Sequence, residues 1–147
     1  MAAHHRSDAS LRGYLNGILA LASLCSEWIG RSDAGVYVYA AEDFPQRFLK
    51  EQRIKTPLVL RESGETFRQT LVQWLGATDF RLCDRVVELF EYELGAAKRV
   101  LRAEDERTLL DALSASEGGF GAYFFTEDVF FVEFAEYTLA FVMGNNE

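Results

Sequence analysis

The sequence predicts an α+β protein: a mostly antiparallel sheet built on a C-terminal three-stranded meander and packed with four to five helices. Three observations carry this. Residues 118–144 are dense in aromatic and β-branched side chains, the types that fit a pleated surface. The short breaks at Glu127-Asp128 and Ala135-Glu136 cut that run into strand-length pieces, as turns do. Upstream, apolar residues recur with three-four spacing in several separate stretches, which is the helical period. A chain of 147 residues reads as one α+β domain over 1–147, with residues 1–8 a frayed tail.

In chain order, Ser7 or Ser10 is placed to cap a first helix that runs to about Ile29. Leu11, Leu15, Ile18, Leu19, Ala22 and Cys25 recur on its inner face, and Gly30 is the stop. This stretch follows two arginines, as a secretion leader would. Asp8 and Asn16-Gly17 break the leader pattern, so it is read as a helix of the fold. Ser32 to Gly35 reads as a turn and 36–40 as a strand. Asp43 is placed to cap a short helix holding Phe44, Phe48 and Leu49, with Pro45 tolerated in its first turn. Arg47, Lys50, Arg53 and Lys55 give this segment a basic, solvated face. Residues 57–60 form a candidate second strand. Ser63 opens a helix with Phe67, Leu71 and Trp74 inward, and Gly76 ends it.

From Asp79 onward, Phe80, Cys83, Val87, Phe90, Leu94, Ala97 and Leu101 keep a helical spacing. A second stripe of Leu82, Val86, Leu89, Ala96 and Val100 makes the apolar face wider than a coiled-coil seam, so the helix is expected in the core. Gly95 is where it would bend or split in two. A last helix over 104–113 leads into the meander. There Val129, Phe131 and Glu133 point to one side, and Phe130, Val132 and Phe134 to the other. A sheet apolar on both faces needs cover on both. The chain's own helices are enough for this; closure by a second copy or a partner is the alternative.

Few residues point to chemistry. The only histidines, His4 and His5, fall in the expected tail, which leaves no positioned imidazole to activate a serine or cysteine. Cys25 and Cys83 lie on apolar stripes, lack zinc-ligand spacing, and read as buried thiols of a reducing, cytoplasmic compartment. No stretch reaches the ~18 apolar residues of a membrane span. Gly118-Gly119-Phe120-Gly121 leads into a strand rather than a helix N-terminus, unlike a phosphate-cradling loop. Glu-Asp occurs at 42–43, 104–105 and 127–128. Such pairs suit divalent-metal binding or acid–base catalysis, but two sit at expected helix starts and one at an expected turn. A carboxylate enzyme or metal binder is therefore an alternative reading, and no cofactor is expected.

Charge is more informative. Residues 1–103 carry 14 Lys/Arg against 13 Asp/Glu, whereas 104–147 carry 10 acids against Arg107 alone. That asymmetry argues against a nucleic-acid partner, which needs a basic surface. It suits a basic protein partner. The expected function is a non-enzymatic, acidic protein-binding domain, with Glu127, Asp128, Phe131, Glu133 and Glu136 presented together as its partner-binding set. In size and charge the chain is similar in general character to bacterial immunity proteins, which dock on and neutralise a basic toxin domain. That likeness implies a toxin domain as the partner. A self-associating accessory protein, a homodimer through the apolar sheet face or the 80–101 helix, is the other alternative.

Overall fold

The C-terminal aromatic run folds as two long antiparallel strands, Phe124–Glu133 and Tyr137–Asn146, joined by a tight turn at Ala135-Glu136. A computed structural model describes residues 8–23, 32–76, 80–117 and 124–146. In chain order these form α1 (Asp8–Ser23), β1 (Ser32–Ala40), α2 (Gln46–Glu51), β2 (Leu60–Glu62), α3 (Phe67–Leu75), α4 (Phe80–Leu94), β3 (Arg99–Ala103), α5 (Glu106–Glu117), β4 (Phe124–Glu133) and β5 (Tyr137–Asn146). The strands make one antiparallel sheet in the order β1-β5-β4-β3-β2. The fold is α+β, as the sequence predicts. No helix among the described residues is long and apolar enough to cross a membrane.

Helices cover both faces of the sheet. Leu11, Leu15 and Leu19 of α1, Phe67, Leu71 and Trp74 of α3, and Cys83, Val86 and Phe90 of α4 pack on one face, against Val36, Phe130, Val132, Leu139 and Phe141. On the other, Phe48 of α2 and Leu109 and Leu113 of α5 pack against Tyr39, Leu101, Phe131 and Ala140. Two-sided burial is why β4 and β5 read as nearly unbroken apolar runs. At the centre, Phe130 and Phe141 sit directly opposite each other on neighbouring strands. Their rings stack at 4.6 Å, and Trp74 meets both edge-on.

Several local expectations are corrected. Glu127-Asp128 is a bulge within β4, not a turn: Thr126 pairs with Gly144 and Asp128 with Met143, which leaves Glu127 as the extra residue. Of the first expected meander strand, residues 118–123 lie outside the described residues. Ser32 to Gly35 is the start of β1 rather than a turn, because β5 is long enough to pair with it. The expected end of the first helix and Cys25 lie outside the described residues. Pro45 follows a cis peptide bond and α2 begins after it; Asp43 contributes its backbone carbonyl to Arg47, not a side-chain cap. The cap of α3 is Thr66, not Ser63, through a reciprocal box with Gln69, and Gly76 closes the helix at φ 57°.

The largest correction concerns 79–101. The helix stops at Leu94, because Gly95 takes φ 84°, a left-handed conformation that glycine adopts without strain. The Glu91 carboxylate then accepts the Ala97 amide at 2.8 Å, and the chain turns into β3. Val100 and Leu101 keep a helical spacing with the residues before them yet are buried on opposite faces of the sheet. The core expectation for α4 holds, since Cys83, Val86, Phe90 and Leu94 are buried.

The two sheet edges differ. Along β1, the Asn16 side chain donates to the Val36 carbonyl and accepts the Val36 amide, at 2.8 and 2.9 Å, standing in for a neighbouring strand. Arg12 donates to the Val38 carbonyl at 3.1 Å. This edge is therefore sealed by α1. Asn16→Leu, which strips both bonds from a half-buried strand, is expected to cost about 1–3 kcal/mol in urea unfolding. An unchanged midpoint would mean the seal is not stabilising.

Candidate functional site

The five residues expected to face a partner do not share a surface. Phe131 is fully buried, with its ring 5.3 Å from those of Phe44 and Phe48. Strand alternation turns Asp128 to the face of Phe130 and Glu133 to the face of Phe131. Glu127 and Glu136 are exposed, but Glu127 lies within β4 and Glu136 in the turn beyond its far end; the strand from 127 to Glu133 alone spans roughly 20 Å at about 3.3 Å per residue.

Two of these acids are neutralised from β3, the neighbouring strand. Arg102 donates to Asp128 at 2.6 Å and to the Val129 carbonyl at 3.2 Å, and lies 5.7 Å over the Phe130 ring. Arg99 grips Glu133 with two bonds, at 2.6 and 3.0 Å, and this pairing raises its pKa further above the ordinary arginine range. The acidity of 104–147 is thus partly internal. The sequence does not show this, because its helical spacing runs through Leu101, which puts Arg99 on a helix and Arg102 just beyond it.

The three Glu-Asp pairs are dispersed and take different roles. Glu42-Asp43 is exposed in the turn after β1, and Asp128 is held by Arg102. Asp105 caps α5 by accepting the Thr108 amide at 3.1 Å and its hydroxyl at 2.7 Å. Those bonds to the ionised form lower its pKa below the usual carboxylate value.

Besides a concavity of about 460 Å³ between the 62–68 segment, α4 and β3, two others bear on function. The first, about 470 Å³, lies between α1, β1 and α2. Three of its lining residues, Arg12, Tyr39 and Glu51, are engaged with one another. Arg12 pairs with both Glu51 oxygens at 3.1 and 3.2 Å, and its guanidinium lies 5.3 and 5.2 Å over the Tyr37 and Tyr39 rings. Tyr39 donates its hydroxyl to Glu51 at 2.6 Å. Burial, then the Glu51 carboxylate, drives the Tyr39 pKa well above the usual phenol value. The cluster ties α1 to β1 and α2.

The second concavity is a groove of about 330 Å³ on the α2/α5 face, beside β2. Leu49, Ile54, Pro57, Leu58 and Leu109 line it, and Glu104 and Asp105 border it. Both carboxylates are exposed, and neither has an ion-pair partner among the described residues. Val59, at the groove's edge, is 54% exposed. Glu104 is tied to this edge by its amide, which donates to the Val59 carbonyl at 2.9 Å. Continuing the β3–β4 register brings Glu104 level with Asp128, so the exposed Glu127 belongs to the same end of the sheet. In the sequence, Glu104-Asp105 reads as a helix start or as a carboxylate pair suited to metal or acid–base chemistry, not as part of a partner surface. The residues that make the groove come from four separate segments, and no local pattern links them. Comparison with protein families, with characterised proteins and with solved structures finds no match for this chain.

Proposed function

We propose that this chain is a non-enzymatic, acidic protein-binding domain that docks on a basic protein partner at the groove beside β2. Neutralisation of a basic toxin domain is one form such docking takes. The observation that carries the reading is an open apolar groove bordered by two carboxylates that have no cation partner among the described residues. The arrangement matches what binding needs: an apolar pocket to desolvate an anchor side chain, and rim charge to steer the encounter. Glu104 and Asp105, with Glu127 at the same end of the sheet, replace the dispersed set expected from sequence.

Selection from a random displayed-peptide library on the immobilised protein tests it. Enriched peptides are expected to carry Lys or Arg beside a large apolar residue. The double variant Glu104→Gln/Glu127→Gln should slow their association about tenfold and flatten its salt dependence. Asp105 is left intact because it caps α5. Acidic or charge-free winners, or association unaffected by the double variant, would count against a basic partner.

A further inference from the structure

The backbone geometry at the other edge of the sheet specifies how a partner can engage this groove. In the β2–β3 ladder, the Glu104 amide bonds to the Val59 carbonyl and the Ser63 amide to the Val100 carbonyl, at 2.9 and 3.0 Å. Antiparallel pairing alternates, so Val59, Arg61 and Ser63 turn their peptide groups toward β3. Leu60 and Glu62 turn theirs outward. β2 is the last strand in the sheet, and among the described residues no hydrogen bond uses those outward groups. The contrast with β1 is direct, since Asn16 and Arg12 occupy the corresponding groups there.

We infer that β2 is a docking edge for strand addition: an extended segment of a partner protein pairs with Leu60 and Glu62. Apolar side chains of that segment reach the groove, and its Lys or Arg residues face Glu62, Glu104 and Asp105. This rests on the basic-partner reading and adds its binding mode. The side chains of Leu58 and Leu60 belong to the same core cluster as the groove residues Leu49, Ile54 and Leu109. Every second residue of an added strand therefore faces apolar surface there. Glu62 sits on that face as well, 4.0 Å from Arg99, which is already engaged by Glu133.

A second copy is the less suitable occupant. β2 is three residues long, and self-pairing over so short a ladder buries far less than the ~1,200 Å² of a stable interface. The register centred on Arg61 would also set two guanidiniums opposite each other. A flexible segment tolerates a short ladder because the groove supplies the rest of its contact.

The test uses the full chain and a synthetic peptide in which every second residue is by turns valine and lysine, with threonine between them, so that both side chains face the groove side of β2; residue-resolved amide exchange follows. Binding should slow exchange at Leu60 and Glu62 about tenfold or more, and leave Val36 on the sealed edge unchanged. A peptide of the same sequence, N-methylated at alternate residues so that one ladder edge is blocked, should bind about tenfold more weakly or worse. Binding without protection at Leu60 and Glu62, or equal binding of the methylated peptide, would overturn strand addition while leaving the basic-partner reading intact. No binding of the alternating peptide would overturn strand addition too; the basic-partner reading is decided separately by the library selection. Protection of the two amides that grows with protein concentration, without peptide, would assign the edge to a second copy and overturn the proposal.

Discussion

Phe90→Ala is expected to lower the unfolding free energy by about 3–5 kcal/mol, whereas Phe80→Ala on the same helix should change it by less than about 0.5 kcal/mol. Both phenylalanines belong to one three-four stripe in the sequence, so periodicity alone assigns them the same role. Phe90 is fully buried, its ring 5.8 Å from those of Phe67 and Phe141, where α3 and α4 meet the sheet. Truncation removes the ring's transfer free energy and leaves a cavity that stacked aromatic neighbours cannot collapse to fill. Phe80 opens α4 with 55% of its surface exposed, so it has little burial to lose. Paired chemical-denaturation curves measure both. Equal, small effects would mean that α4 does not pack on the sheet as described.

On the opposite face, Phe131→Ala should also cost about 3–5 kcal/mol. The ring fills the space between Phe44 and Phe48 under α2, and no part of it reaches solvent. The sequence places Phe131 among partner-facing residues; the structure makes it the floor of the second core. The two roles separate cleanly in experiment. A core role predicts a lower unfolding midpoint, with association to a basic peptide unchanged at temperatures where the variant stays folded. Loss of association at full stability would restore Phe131 to the partner surface.

Some of this protein was legible residue by residue. The amphipathic stripes of α1, α3 and α4, the strand character of 124–146 and the helix stop at Gly76 follow from side-chain period and turn chemistry, which act over a few residues. The alternation of Val129 and Phe131 against Phe130 and Val132 also held, because a strand has only two sides. β3 was not legible. Gly95 marks a bend or split, but two apolar residues in 99–103 continue a helical spacing, and nothing local shows that the chain beyond the glycine becomes a strand.

That single misplacement hid the electrostatics. Once β3 lies between β2 and β4, Arg99 meets Glu133 across 34 residues of chain and Arg102 meets Asp128 across 26. The same placement sets the Val59 carbonyl against the Glu104 amide, leaves Leu60 and Glu62 facing outward, and brings Glu104 and Asp105 to a groove built from α2, the 54–59 segment and α5. The sequence by itself determined the α+β class, the two apolar sides of the C-terminal strands and the acidic bias of the last third of the chain. Only the tertiary structure decided which of those acids remain available and which strand edge is open. The reason is physical: burial preference is a property of each residue and its period, but the partner of a charge or of a backbone amide is set by which strands become neighbours.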